Sequence, residues 1–196
     1  MKIKKILLFL LLFNLNVSYV YSVTPDVFIQ STVNSASEIL SKNISKEEKI
    51  SQLKVIAKDT VDIKAVGFYS LGSNRKNLDN NQLIKYLNLF EEYFLKSFSS
   101  RLSEYTNPKI EVSGKKVLNE NYTMVNSLLI ATPNRPEVKI DWRVYTKNPN
   151  SPLIRDLIIE GLSLARTQKE EFASILNSND NDINVLFETL EEFSKN

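Results

Sequence analysis

Residues 156–163 read Asp156-Leu157-Ile158-Ile159-Glu160-Gly161-Leu162-Ser163. They end an apolar run that begins at residue 153, and this run follows a segment, 138–144, in which apolar and polar residues alternate. Alternation is typical of a half-buried β-strand, and a short run that is apolar on both faces is typical of a more deeply buried one. Gly161 favours a turn, and Ser163 can cap a helix after it. The stretch therefore predicts two strands that lead into a helix.

Two further apolar stretches, at 110–112 and 124–131, precede these strands. Polar segments rich in turn-forming residues separate the four runs, at 119–121, 132–136 and 147–152. Short polar turns are what antiparallel strands need when each pairs with the next. The second half of the chain therefore predicts a meander of about four antiparallel strands.

The first half shows the period of helices. Pro25 opens the first helix, Ser45 with Glu48 resembles a capping box for the second, and residues 63–69 form a short third one. Asp79 caps a fourth of roughly 26 residues, or about 39 Å. Its apolar residues recur on one side at Leu83, Leu87, Phe90, Phe94, Phe98, Leu102 and Tyr105. Two more helices end the chain, so we predict an α+β fold in which helices pack on one face of a curved sheet.

The N-terminus has the features of a signal peptide. Three lysines precede the apolar stretch 6–13, and Ser22 is a small residue at a suitable cleavage position. An uncleaved membrane anchor is the alternative, but Asn14 interrupts the apolar run well short of the roughly 20 residues that a spanning helix needs. We therefore expect residues 1–22 to be removed and residues 23–196 to form a single exported domain.

Composition excludes several classes of function. Cleavage of the leader removes three lysines, so 25 basic and 23 acidic residues become 22 and 23, a net charge of −1. This balance argues against nucleic acid as a partner. Because the chain has no histidine and no cysteine, it cannot form a Ser-His-Asp or Cys-His system, or a thiolate or imidazole metal site. We expect no enzyme activity, cofactor or metal.

A series of short motifs runs along the chain in a recognisable order. An Asp-apolar pair precedes a short helix that ends in Leu-Gly, a long helix has Gln near its start and Leu-x-x-Tyr near its end, and Ile-Asp-Trp begins a strand. The motifs are Asp62-Ile63, Leu71-Gly72, Gln82, Leu102-Ser103-Glu104-Tyr105, Ile140-Asp141-Trp142-Arg143 and 156–163. In this order they resemble the MlaC family of periplasmic phospholipid carriers, also called toluene-tolerance auxiliary proteins.

The chain departs from the family pattern at two places. Family members usually carry a tryptophan and a basic residue after Leu-Gly, whereas Arg75 and Lys76 keep only the charge. Aromatic residues expected around the last strand are replaced by Pro152 and Arg155. Whatever those aromatic rings contact in relatives must therefore be satisfied differently here.

The resemblance implies a monomeric protein that carries phospholipid across the periplasm and maintains the lipid asymmetry of the outer membrane. Its implied partners are an outer-membrane lipoprotein complex and the MCE-domain protein of an inner-membrane ABC transporter. The number of acyl chains, the head-group preference and the direction of transport stay open.

Lipid carriage requires an apolar slot, and the sequence offers two surfaces for it. One is the aromatic stripe, which we define as Leu87, Phe90, Phe94 and Phe98; the other is the sheet, with Val112, Leu129, Ile140, Trp142, Val144 and Ile158. At about 0.8 kcal/mol per methylene, a 16-carbon chain gains on the order of 12 kcal/mol on burial. Acyl burial alone can therefore hold a lipid, with its head group in solvent. The alternative is that these residues form an ordinary core.

Catalysis and transport of a different apolar ligand are the alternative functions. Asp156 and Glu160, four apart on one predicted strand face, have the residue types of a general acid and base. The alternative is that they pair with Arg143 or Arg155, or cap the helix after Gly161. An exported carrier for another apolar ligand, such as a quinone or hopanoid-like molecule, also fits the slot. An NTF2-like hydrolase or isomerase is disfavoured by the lack of histidine.

Overall fold

The computed structural model describes residues 23–195, so the predicted signal peptide lies outside the described residues. Four helices come first: α1 Pro25–Ser41, α2 Lys46–Thr60, α3 Ile63–Leu71 and α4 Asn80–Leu102, with a 3₁₀ segment, Gly72–Asn77, before α4. Then come β1 Ile110–Asn119, β2 Tyr122–Leu129, β3 Val138–Tyr145, β4 Leu153–Ile159, β5 Leu162–Ser163, α5 Leu164–Asn177 and α6 Ile183–Lys195. The predicted α+β class is confirmed. Within the described range, no helix is long and apolar enough to cross a membrane.

Side-chain caps fix the starts of the helices where the sequence predicts them. Ser45 and Glu48 form a reciprocal capping box at α2, and Asp79 forms another at α4. The end of α4 differs from the prediction, which extended the helix to Tyr105. The chain leaves the helix after Leu102, takes a positive φ of 47° at Asn107 and continues into Pro108. The backbone N–H groups of Glu104 and Tyr105 bond three residues back instead of four, so the last predicted turn is not α-helical and periodicity alone overestimated the helix length.

The five strands form one antiparallel sheet in the order β1-β2-β3-β4-β5. Its inner face carries Val125, Trp142 and Val144, and α1 packs against it. The two-residue strand β5, absent from the prediction, pairs with the end of β4. The turn between them has positive φ at Glu160 (49°) and Gly161 (82°), as a type I′ hairpin turn requires.

Buried side chains form two main clusters and a smaller third one. The helical cluster joins α3, α4, α5 and α6 around Tyr86, Phe90 and Phe172. The sheet cluster joins the inner face of the sheet to Ile29 and Val33 of α1. Val61, at the end of α2, packs against both. The fold therefore places two separately packed apolar regions side by side.

Gly67 of α3 lies directly against the ring of Phe90. A Cβ at Gly67 would be 2.8 Å from Phe90 Cδ1, and Phe90 is held by an edge-on contact with Phe172 at 6.2 Å between ring centroids. We expect Gly67→Ala to lower the free energy of unfolding by about 1–3 kcal/mol, measured by urea denaturation, because the core has no room to relax. Gly114→Ala is the matched control, since nothing lies within 4 Å of its Cβ position. Equal loss in both variants would contradict this packing.

Candidate functional site

The aromatic stripe of α4 is packed at one end and partly open at the other. Phe90 is buried in the helical cluster, whereas Phe94 and Phe98 are only partly buried. Neighbouring rings stack on one another, with centroids 6.1 Å apart for Phe90 and Phe94 and 5.6 Å apart for Phe94 and Phe98. Leu87 packs against the same cluster and is also partly buried. The C-terminal half of the stripe therefore exposes apolar ring surface.

On the sheet side, five of the predicted residues share the inner face. Leu129, Ile140, Trp142 and Val144 are buried in the sheet cluster, and Val112 packs against it. The Trp142 indole nitrogen donates to Ser127 Oγ at 2.8 Å, and this hydroxyl donates to the carbonyl of Ile140 at 3.0 Å. These bonds fix the position of the indole nitrogen within the sheet cluster.

Ile158, the remaining predicted residue, lies on the outer face of the sheet. Its register partners are Asp141 and Ser163, while Leu157 pairs with Trp142 on the inner face. A β-bulge at Arg155 adds one residue to β4 and so reverses which residues point inward after it. The run was predicted to be apolar on both faces, so alternation could not reveal this shift.

The predicted residues thus divide between the two clusters. The aromatic stripe belongs to the helical cluster and five sheet residues belong to the sheet cluster, with Val61 in contact with both. Two surface cavities of about 230 and 390 Å³ lie elsewhere, one beside Gln82 and Ile183 and the other along α1 at Gln30 and Asn34. Neither cavity is lined by a predicted lipid-contact residue.

The two carboxylates do not form the predicted pair on a strand face. Asp156 is buried and accepts hydrogen bonds from Ser163 Oγ at 2.7 Å and from the backbone N–H of Ala165 at 3.1 Å, with Arg143 at 3.3 Å. Glu160 lies past the end of β4, in the turn, where it accepts from the backbone N–H of Lys139. Asp156 therefore pairs with Arg143 and anchors the start of α5, as the structural alternative predicted. Only Glu160 differs from the expectation that both carboxylates lie on the strand.

Arg155 forms a cluster that the sequence did not indicate. Its Nε and Nη2 contact Asp62 Oδ2 at 2.9 and 2.8 Å, and Nη1 donates to the Tyr122 hydroxyl at 2.8 Å. The guanidinium also lies 3.5 Å from the centroid of the Tyr145 ring. Desolvation lowers the pKa of Arg155, but the bonds to Tyr122 and Asp62 outweigh it and leave the pKa above its ordinary value. An arginine that lies over the Tyr145 ring and donates to the Tyr122 hydroxyl thus occupies a place where the resemblance implied aromatic residues.

This Arg155 cluster joins the α2–α3 junction to the sheet. Asp62 donates its backbone N–H to the carbonyl of Ile154 at 2.9 Å, and its side chain also caps α3. We expect Arg155→Ala to cost about 1–3 kcal/mol in urea denaturation, because it leaves a partly buried carboxylate without its cation. Arg166→Ala, at an exposed position of α5, is the control and should stay within about 0.5 kcal/mol of the parent protein. Equal stability of the two variants would contradict the anchoring role.

Two tyrosines of the helical cluster hold fixed positions between helices. Tyr86 donates its hydroxyl to the carbonyl of Gly67 at 2.9 Å, and burial raises the pKa of its phenol. Tyr93 donates to Gln168 Oε1 at 2.9 Å, and burial, with a smaller effect of Glu171, raises its pKa as well. Both phenols therefore stay neutral and act as hydrogen-bond donors that join α4 to α3 and α5.

Comparisons with known proteins agree with this geometry. The family model described as MlaC protein matches residues 30–192. A similar solved structure is the phospholipid-binding protein from Ralstonia solanacearum in complex with a phospholipid: it is 18% identical, has a TM-score of 0.72, and the match covers 87% of this chain and 96% of that chain. No protein with a curated description matches. Because the family model spans most of the sequence and the motifs lie in its order, the chain belongs to the MlaC protein family.

Proposed function

We propose that this protein binds phospholipid and carries it through the periplasm between an outer-membrane lipoprotein complex and the MCE-domain protein of an inner-membrane ABC transporter. The observation that carries the proposal is the division of the apolar interior into a helical and a sheet cluster, with Phe94 and Phe98 only partly buried at the edge of one. Membership of the MlaC family supports it, as does the similar Ralstonia protein, whose structure contains a phospholipid.

In the proposed mechanism the acyl chains enter between the two clusters. Each cluster has its own interior packing, so separating them breaks few contacts within either. The Arg155 cluster and the hydrogen bond from Asp62 to Ile154 hold the helices to the sheet at one end. In this proposal the slot, which we define as the space between the aromatic stripe and the inner face, opens at the other end of the sheet.

Burial of acyl chains supplies the affinity. At about 0.8 kcal/mol per methylene, one 16-carbon chain contributes on the order of 12 kcal/mol before the cost of opening the slot. A membrane offers the same burial, so transfer between protein and bilayer is close to thermoneutral. Direction must then come from the two membrane complexes rather than from the carrier.

A vesicle assay tests the carrier function. The chain from residue 23 onward, purified and freed of lipid, should accelerate the transfer of a labelled phospholipid from donor to acceptor vesicles in proportion to protein concentration. Transfer at the spontaneous rate, at protein concentrations where binding is established, would overturn the proposal.

Contact with the transporter should be weak and insensitive to salt. The predicted mature chain has a net charge near zero, so its overall charge gives little long-range steering of association. We expect the periplasmic part of an MCE-domain protein to bind with a dissociation constant in the range of about 1–100 μM that changes little between low and moderate salt. Biosensor measurements at two ionic strengths check this. Absence of binding at tens of micromolar would point to a different pathway.

A further inference from the structure

Arg135 is a cation whose hydrogen bonds are incomplete. It lies in the 130–137 loop between β2 and β3, and its Nη2 donates to the carbonyl of Ile130 at 3.4 Å. The guanidinium carbon is 5.1 Å from the centroid of the Tyr105 ring. Its Nε is buried and has no hydrogen-bond partner, and Arg135 makes no ion pair within residues 23–195. A buried N–H of a charged group that makes no hydrogen bond costs free energy. The Arg135 guanidinium can therefore gain stability from one more hydrogen-bond acceptor.

The loop holds the guanidinium in a defined place. The backbone groups of Thr132 and Arg135 exchange two hydrogen bonds, at 2.8 and 3.1 Å, which close the loop into a tight turn. The neighbouring cation, Lys109, is already paired with Glu111 at 2.6 Å. Lys139 also makes no ion pair among the described residues, but its place in the β2–β3 register puts it on the outer face of the sheet. Arg135 is therefore available to an anion beside the inner face.

Arg135 lies at one end of the proposed slot. Leu129 and Val138, which flank the loop, pair with each other at the end of the inner face. Tyr105, which the guanidinium contacts, lies three residues beyond the end of α4, in the segment that leads into β1. Arg135 thus lies at the end of the inner face and contacts the segment that connects α4 to β1. This is the end opposite the Arg155 cluster, where the slot opens.

We propose that Arg135, supported by the Tyr105 ring, binds the phosphate of the phospholipid whose acyl chains occupy the slot. The planar guanidinium presents parallel N–H donors that match the oxygens of a phosphate diester. Every glycerophospholipid carries this phosphate, so one arginine selects the lipid class without selecting the head-group alcohol. The inference rests on the proposed function and adds a polar determinant to acyl burial.

The test compares two lipids that differ only in the phosphate-containing head group. Lipid-free protein is incubated with phosphatidylcholine vesicles that contain diacylglycerol with the same acyl chains, then isolated, extracted and analysed by mass spectrometry. The parent protein should be enriched in phosphatidylcholine. Arg135→Gln should lower the ratio of phosphatidylcholine to diacylglycerol about ten-fold or more, because a hydrogen bond to a charged group is lost. Arg135→Lys, which keeps the charge but not the paired donors, should lose less.

Arg75→Gln is the matched control, since Arg75 is exposed and lies in the 3₁₀ segment before α4. Its lipid ratio should equal that of the parent protein. An unchanged ratio in Arg135→Gln, or no enrichment in the parent protein, would overturn the inference while leaving lipid binding intact. Failure of the parent protein to take up either lipid would instead overturn the proposed function, and this inference with it.

Inorganic phosphate presents to Arg135 the same kind of oxygens as the phosphate of a phospholipid. Inorganic phosphate at millimolar concentration should not raise the melting temperature of the parent protein, because the acyl chains supply most of the affinity. If phosphate stabilises the parent protein but not Arg135→Gln, and both proteins show the same lipid ratio, Arg135 binds free phosphate and the lipid assignment is wrong.

Discussion

Val144→Asp is expected to prevent folding. Val144 is completely buried in the sheet cluster, between Thr123 of β2 and Ile154 of β4 in the register. A carboxylate there would lie among the apolar side chains of the sheet cluster. Burying an unpaired charge, or protonating it instead, costs several kcal/mol out of a total stability of about 5–15 kcal/mol.

Circular dichroism and thermal unfolding check this expectation. Val144→Ala is the control: it removes volume without adding charge and should give a folded protein that is less stable by about 1–3 kcal/mol. A folded Val144→Asp protein without lipid would mean that the slot extends into the sheet cluster and that water reaches the new carboxylate.

Phe94→Asp is expected to give the opposite outcome, a folded protein that carries no lipid. Phe94 is partly buried and packs on the Phe98 ring with the two planes 8° apart. Water can solvate a carboxylate at this position in the lipid-free state, so the free energy of unfolding should change by only about 1–2 kcal/mol. In the lipid-bound state the same carboxylate would face acyl chains, and this cost should reduce lipid occupancy at least ten-fold.

The matched control is Phe94→Leu, which keeps an apolar side chain and should keep the lipid. Thermal unfolding and the phospholipid content of each purified variant are measured together. An unfolded Phe94→Asp protein would assign Phe94 to the core of the helical cluster. A folded Phe94→Asp variant with normal lipid content would show that the aromatic stripe is not part of the binding site.

Local signals predicted most of the secondary structure. Ser45, Asp79 and Ser163 cap helices where the sequence indicates, because a cap depends on residues only three positions apart. Alternation located the strands for the same reason. The errors arose where the backbone departs from a regular period, at the end of α4 and at the bulge in β4 that turns Ile158 outward.

The candidate site was less predictable because it depends on tertiary contacts. Periodicity identifies the apolar face of α4, but it cannot show that Phe90 packs against Gly67 and Phe172 while Phe94 stays partly exposed. Nor could it show that the stripe and the sheet belong to different clusters. Arg155 was predicted as a departure from the family pattern and as an alternative partner of Asp156 or Glu160, but its actual partner, Asp62, lies 93 residues away in the sequence. Arg135 carried no sequence signal.

The central claim is that the space between the helical and sheet clusters holds phospholipid, and analysis of co-purified lipid tests it most directly. The protein is purified from an expressing cell without detergent, extracted with organic solvent and analysed by mass spectrometry. We expect phospholipid in about a one-to-one ratio with the protein, with mixed head groups, because acyl burial and a shared phosphate determine binding. A protein that is consistently empty, or that contains only a quinone, a hopanoid-like molecule or another lipid without phosphate, would contradict the claim.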